Sequence, residues 1–286
     1  MAEVPASVVV KLRKMSGQGM MDCKKALEEA NGDMDKAMEI LRKKGLATLA
    51  KRAERETSQG VVVLTEGPGW VSLASLCCET DFVAKSDDFL AAVEAMKGYV
   101  SACQADNEAN NLAETSVNGK KFADVITDTV SKTGEKMIVG DYARFRTPKP
   151  GLIGTYVHFN GKVGSMVQID TSDDKTAQTP SIKLAASDIA MHVTASKPIA
   201  LDVASLDPQM VEQEKAIYAA QVQNKPPQVV DRIVEGKLKK FYSDYCLLEQ
   251  PFVKDDTKTV QQMLAEAAKQ AGGQASIKQF VRFEVG

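Results

Sequence analysis

The sequence contains few of the side chains that carry out catalysis. Histidine occurs 2 times in 286 residues, and aromatic residues make up 6% with a single tryptophan. There is no G-x-x-x-x-G-K-S/T phosphate-binding loop, no H-E-x-x-H zinc motif and no G-x-S-x-G nucleophile turn. The histidines, His158 and His192, fall in a predicted hairpin and a predicted helix, far apart in sequence. We therefore expect a protein that is not an enzyme and that has no cofactor or metal site.

The cysteines and the hydrophobic segments of the sequence indicate in which cellular compartment the protein works. The 5 cysteines are odd in number and form no C-x-x-C pair, so we interpret them as small buried hydrophobes. No apolar run approaches the roughly 18 residues of a membrane span, and the first residues lack the apolar stretch of a secretion signal. The sequence predicts no membrane contact and a cytoplasmic location.

The charge balance gives little support to nucleic-acid binding. The formal net charge is −2, so there is no overall basic field to hold phosphates. Residues 1–56 do carry 12 Lys and Arg against 9 Asp and Glu. A nucleic-acid-binding protein that uses these basic helices is the alternative function, although basic and aromatic residues do not alternate there.

Hydrophobic periodicity and turn residues predict an α+β protein with a duplicated core. Two hairpins, the second turning at Asn160-Gly161, are each followed by a helix. The predicted segments are a three-helix N-terminal module (1–45), a charged linker (46–59), core subdomain N (60–148), core subdomain C (149–206), a helical hairpin (207–248), and the rest of subdomain C with a C-terminal helix and strand (249–286). Gly45 is expected to end the third helix of the N-terminal module.

The helical hairpin is predicted from a seam of apolar side chains. The seam consists of Val230, Val234, Leu238, Phe241 and Tyr245, at spacings of 4, 4, 3 and 4 residues. Steps of three and four residues are typical of the apolar seam of a coiled coil. Residues 224–227 (Asn-Lys-Pro-Pro) are expected to break the helix before it. A protruding antiparallel pair is one interpretation, and two ordinary core helices are the other.

The segment from Thr80 to Lys85 follows a predicted strand and precedes a helix, so it forms a corner. Phe82 in this corner either fills the core or is presented to a partner as an anchor. Position alone favours the core. The aspartates Asp87 and Asp88 are expected to cap the following helix, whose N-terminus attracts carboxylates.

Several motifs resemble those of the bacterial elongation factor Ts family. They are T-D-F-V-A-K (80–85), G-Q-G-M-M-D-C-K-K-A-L (17–27), A-M-H-V (190–193), S-K-P (196–198), E-G-K-L-K-K-F (235–241), Q-P-F-V (250–253) and R-F-E-V-G (282–286). They occur in family order, so the resemblance covers essentially the whole chain. Ser16, Ser75, Cys77 and Lys136 depart from the usual residues of the family.

The resemblance implies a fold and a function. The fold is a ubiquitin-associated-like module of three helices, two similar α/β core subdomains and a protruding antiparallel helical hairpin. The function is to bind the GTPase elongation factor Tu in its GDP-bound form, disturb its magnesium site and promote GDP release so that GTP can bind. Direct binding of nucleotide, nucleic acid or membrane is not implied.

The resemblance also implies roles for individual residues. Asp81 and Phe82 would push into the partner near its magnesium site, and Thr80 and Val83 would hold that corner in shape. His158 would touch another part of the partner. The N-terminal module would grip the nucleotide-binding domain through Leu12, Arg13, Met20 and Met21.

Overall fold

The computed structural model describes residues 4–222 and 226–286. The α-helices are α1 (Ala6–Ser16), α2 (Met20–Glu29), α3 (Met34–Lys51), α4 (Asp81–Ala84), α5 (Asp87–Ala102), α6 (Ala109–Glu114), α7 (Phe122–Thr133), α8 (Asp174–Gln178), α9 (Pro180–Ser196), α10 (Pro208–Ala220), α11 (Pro227–Tyr245) and α12 (Val260–Ala271). The strands are β1 (Gln59–Gly67), β2 (Trp70–Cys78), β3 (Ser116–Val117), β4 (Lys120–Lys121), β5 (Met137–Arg146), β6 (Gly151–Val157), β7 (Val163–Thr171), β8 (Pro251–Phe252), β9 (Asp255–Thr259) and β10 (Ala275–Glu284). The predicted α+β class is confirmed.

The first three helices pack around their own small core. Leu12, Cys23, Leu27 and Leu41 are buried together at their centre. The side chain of Asp33 accepts hydrogen bonds from the backbone at the start of α3, as a helix cap does. Three helices were expected here, and three are found.

The predicted end of the third helix at Gly45 is wrong. Helix α3 continues through Gly45 to Lys51 and so takes in part of the predicted linker. A glycine inside a helix costs only about 1 kcal/mol relative to alanine, which tertiary contacts can offset. The contact here is with α7, because a Cβ on Gly45 would lie 2.6 Å from the carbonyl oxygen of Thr127.

The first half of the core is an antiparallel sheet in the order β1-β2-β5, covered on one face by α5 and α7. Its largest buried side chains include Leu76, Phe89, Met96 and Phe122. The alternation of strand side chains places one set against these helices and the other set on the opposite face. That opposite face packs against the second half of the core.

The second half of the core repeats this plan. Its antiparallel sheet has the order β10-β7-β6, and α9 and α12 cover it. The predicted turn at Asn160-Gly161 joins β6 to β7, and β6 begins earlier than expected, at Gly151. The two sheets meet through a shared apolar cluster that includes Val62, Leu73 and Met166.

Helices α10 and α11 lie against each other. The side chain of Lys237 in α11 hydrogen-bonds Gln221 at the end of α10 and lies over the ring of Tyr218. Helix α10 contains no buried residue. On the predicted seam Val234 and Phe241 are buried, whereas Tyr245 is 40% exposed. The predicted helix break at 224–227 lies partly outside the described residues.

Two predictions about composition can be checked against the fold. Within residues 4–222 and 226–286, no helix combines the length and the hydrophobicity needed to cross a bilayer. All five cysteines are buried free thiols, as their interpretation as small hydrophobes required.

Candidate functional site

The corner after β2 presents one large aromatic ring to solvent. Thr80 caps the short helix α4, and the side chain of Phe82 in that helix is 83% exposed. Val83, the next residue, packs against the core beneath the first sheet. Position alone favoured a buried Phe82, and the structure shows the opposite arrangement.

A carboxylate from the neighbouring loop braces this corner. The backbone N–H of Thr80 donates to Oε2 of Glu135 at 3.0 Å, and the Thr80 hydroxyl donates to Oε1 at 2.7 Å. The same hydroxyl oxygen accepts a hydrogen bond from the N–H of Val83. These contacts fix the direction in which α4 leaves the sheet, and with it the direction of the Phe82 ring.

An ion pair lies beside the exposed ring. The carboxylate of Asp81 is 2.8 Å from Nζ of Lys85, one helical turn further on. The hydrogen bond from Lys85 holds the pKa of Asp81 below its ordinary value, so the carboxylate is ionised at neutral pH. The cap of α5 is Ser86, which corrects the expectation for Asp87 and Asp88. Both aspartates lie in the first helical turn, where they still face the positive helix end.

Glu79, just before the corner, is held from two directions. Nη1 of Arg52 lies 2.8 Å from both carboxylate oxygens, and the N–H of Lys136 donates to Oε1 at 2.7 Å. Burial raises the pKa of Glu79, but these hydrogen bonds outweigh it and the net pKa is lowered. The departure at Lys136 has a structural role through its side chain, because the ammonium group donates to the carbonyl oxygens of Ala53 and Arg55.

A second exposed aromatic residue lies in the turn between β6 and β7. Nδ1 of His158 lies within hydrogen-bond distance of the Tyr156 hydroxyl, at 3.1 Å. Phe159, beside it, is 92% exposed, and the two rings lie 4.4 Å apart. The sequence analysis did not single out Phe159, although an aromatic residue directly before an Asn-Gly turn could have drawn attention to it.

The N-terminal module offers an apolar surface with a basic edge. Met20 and Met21 are 41% and 62% exposed, and Arg13 is exposed too. Leu12 is completely buried among the three helices. Its side chain fills the core that supports this surface, and a direct contact of Leu12 with a partner stays a prediction.

Two of the family departures lie on the middle strand, behind the corner. The Ser75 hydroxyl accepts a hydrogen bond of 2.7 Å from the N–H of Asp141, at a bulge where the register between β2 and β5 shifts. Cys77 is buried in the cluster between the two sheets. Ser75 thus braces the bulge in β5, and Cys77 fills space.

Metal-ligating side chains do not cluster in the part of the chain that the structure describes. Within residues 4–222 and 226–286, no group of three or more His, Cys, Asp or Glu side chains could hold a metal ion. His192 is buried and hydrogen-bonded to Gln250 and to the N–H of Val253. The arrangement instead presents three separate surfaces with exposed apolar side chains, which suits recognition of another macromolecule.

Comparison with known proteins gives a single family. A family model described as "Elongation factor TS" matches residues 79–286. A protein named elongation factor Ts from a Nitratiruptor species is 42% identical over 99% of this chain and 93% of its own length. Proteins of the same name from Nautilia profundicola and Desulfovibrio desulfuricans are 43% and 39% identical over 100% of this chain, and over 94% and 99% of their own lengths.

Proposed function

The chain belongs to the elongation factor Ts family, and on that premise we propose that it binds the GTPase elongation factor Tu in its GDP-bound form. Binding disturbs the magnesium site of the GTPase and promotes release of GDP, so that GTP can take its place. The protein acts as a guanine nucleotide exchange factor in the cytoplasm and makes or breaks no covalent bond. It binds neither nucleotide nor nucleic acid itself.

The observation that carries this proposal is the exposure of Phe82 at a braced corner. In the isolated protein the Phe82 ring is 83% exposed, and contact of an apolar ring with water is unfavourable. Burial of the ring in a pocket of a partner would therefore stabilise the complex. The Thr80–Glu135 contacts hold α4 in place, so little conformational entropy is lost when the ring is buried in a partner. Asp81 places a carboxylate beside the ring, where it can repel or reposition ligands of a bound cation.

The mechanism is a negative coupling between two ligands of the GTPase. If the factor and Mg·GDP each weaken the binding of the other, linkage requires the two effects to be equal in free energy, commonly about 1–3 kcal/mol. Insertion of Phe82 near the magnesium site provides such a coupling, because the ring and the intact site cannot both be accommodated. The free energy of binding between the factor and the GTPase is then sufficient to promote nucleotide exchange, without any covalent step.

Three surfaces would share the contact with the GTPase. Asp81 and Phe82 form the exchange corner, supported by Thr80 and Val83. The surface of the N-terminal module, with Arg13, Met20 and Met21, grips the nucleotide-binding domain. The turn that carries His158 reaches a different part of the partner.

The direct test follows release of a fluorescent GDP analogue from elongation factor Tu after addition of excess unlabelled nucleotide. We expect this protein to accelerate release at concentrations far below that of the nucleotide. Unaccelerated release by the folded protein would refute the proposal. Binding to RNA that weakens steeply with salt would favour the alternative of a nucleic-acid-binding protein.

A further inference from the structure

Helix α3 belongs to two packing units at once. Its first half contributes Ala37 and Leu41 to the core of the N-terminal module. Its second half lies along α7, and Leu49 packs against the core cluster of the first sheet. The region predicted to be a linker is therefore half helix, and the helix crosses from one unit to the other without a break.

Helices α3 and α7 are in close contact at Gly45. A Cβ placed there would lie 2.6 Å from the carbonyl oxygen of Thr127 and 2.7 Å from Oγ of Ser131. The first of these atoms belongs to the backbone of α7, so it cannot move aside as a flexible side chain would. One helical turn earlier, the Ser131 hydroxyl donates a buried hydrogen bond of 2.9 Å to the carbonyl oxygen of Leu41. Glycine at position 45 is what allows the two helices to lie this close.

The far end of α3 reaches the exchange corner. Arg52, immediately after the helix, pairs with Glu79 through two contacts of 2.8 Å, and Glu79 directly precedes Thr80. Arg42, near the middle of the helix, pairs with Asp124 of α7. A continuous series of contacts thus links the helix that supports Met20 and Met21 to the segment that carries Phe82.

We propose that α3 is a strut that presents the surface of the N-terminal module and the Phe82 corner to the GTPase as one rigid body, with Gly45 as the positioning residue. This inference rests on the proposed function. When two binding surfaces are held at a fixed separation, the second contact forms at a high effective concentration. The entropy of ordering them is then lost once, during folding, and not again at each binding event.

The experiment compares two glycine substitutions. Gly45→Leu forces α3 away from α7, whereas Gly98→Leu is the matched control, because Gly98 lies in α5 with no atom within 4 Å of a Cβ placed there. Spin labels on cysteines introduced at the exposed residues Glu29 and Glu94 report the separation of the module from the core. We expect a narrow distance distribution for wild type and Gly98→Leu, and a broad one for Gly45→Leu.

Kinetics then test the consequence. For Gly45→Leu, the factor concentration that gives half-maximal GDP release should rise by roughly 10- to 100-fold. The maximal rate should persist, because the hydrogen bonds between Thr80 and Glu135 that orient the Phe82 ring do not involve α3. Met21→Ala should weaken binding in wild type and have little further effect in the Gly45→Leu background, since the module no longer contributes. Gly45→Ala, a smaller intrusion, should shift both measurements in the same direction if the leucine variant does not fold.

The outcomes separate this inference from the proposed function. A broad distance distribution with an unchanged half-maximal concentration would overturn the strut, and so would a distribution for Gly45→Leu as narrow as that of wild type. Absence of any GDP release with the wild-type protein would instead refute the exchange function, whatever the distances show.

Discussion

The hydroxyl of Thr80 donates a hydrogen bond of 2.7 Å to Oε1 of Glu135, which lies 55 residues further along the chain. The same hydroxyl accepts from the N–H of Val83 and so caps α4. One oxygen atom thereby joins the end of a strand, the start of a helix and a distant loop. The shape of the exchange corner depends on it.

Thr80→Val keeps the size of the side chain and removes these hydrogen bonds. We expect a loss of about 1 kcal/mol in stability, typical of a lost helix cap, and slower GDP release. Hydrogen exchange of the Val83 amide should accelerate. Thr115→Val is the control, because its hydroxyl bonds only the carbonyl of Asn111 in a remote helix among the described contacts. If Thr80→Val released GDP at the wild-type rate although its Val83 amide exchanged faster, the corner would not need to be rigid.

Truncation of the exposed ring should separate function from stability. Phe82→Ala is expected to lower the kcat/KM of nucleotide exchange by roughly 10- to 100-fold, which corresponds to losing the burial of one aromatic ring. The melting temperature should change little, because the ring is 83% exposed. Leu184→Ala, a truncation at a residue that is 62% exposed on α9, is the control for surface effects. A drop of many degrees for Phe82→Ala would mean that the ring serves the fold.

Asp81 and Phe82 should behave as one unit. Asp81→Ala removes the carboxylate and its ion pair with Lys85, so we expect it to slow exchange as Phe82→Ala does. The double variant should lose less than the sum of the two single losses, because both residues act on the same region of the partner. The check is a double-mutant cycle of exchange rates, and strict additivity would indicate two independent contacts.

Magnesium should compete with the factor through linkage. Raising free Mg²⁺ is expected to weaken the apparent affinity of the factor for the GDP-bound GTPase, and Phe82→Ala should reduce that dependence. The measurement is a binding titration at several Mg²⁺ concentrations and constant ionic strength, because exposed charge pairs also respond to salt. Equal Mg²⁺ dependence for the two proteins would contradict the proposed action of Phe82 while leaving binding itself intact.

Acid should destabilise the second half of the core through His192. Its Nδ1 accepts from the N–H of Val253 and its Nε2 bonds Gln250, so protonation would place two N–H groups against each other. Burial lowers the pKa of His192 from 6.5, and the hydrogen bond to Gln250 offsets only part of this. The unfolded chain therefore binds the proton first, and stability should fall as pH drops below about 6.5 until it passes the folded pKa. Urea unfolding of wild type and His192→Gln at several pH values should show a shallower dependence for the variant.

Local chemistry made part of this structure predictable. Asp33 caps α3, and Asn160-Gly161 forms a hairpin turn, because each depends on interactions within a few residues. The apolar seam of α11 follows from spacing in part, because Val234 and Phe241 are buried whereas Tyr245 is 40% exposed. These features can be predicted because the residues that determine each of them lie close together in the sequence.

Contacts between distant segments were not predictable. Gly45 looks like a helix end in the sequence, and only the approach of α7 explains why the helix continues past it. Leu12 is an apolar residue near a family motif, and such a residue can either fill a core or contact a partner. Its burial therefore did not follow from the sequence. Phe82 could also have been a core or a contact residue, and it is exposed, whereas its partly buried neighbour Val83 packs against the core.

The ammonium group of Lys136 has a consequence for protease resistance. It binds the carbonyl oxygens of Ala53 and Arg55, which belong to a segment rich in the basic residues that trypsin recognises. A protease must draw several residues of backbone into an extended form before it can cut, and here those carbonyls are already engaged. The segment that looks most open to cleavage in the sequence is thus held to the fold by the Lys136 ammonium group and by the Arg52–Glu79 pair. Its cleavage rate would report on these two attachments more directly than on the stability of either packing unit.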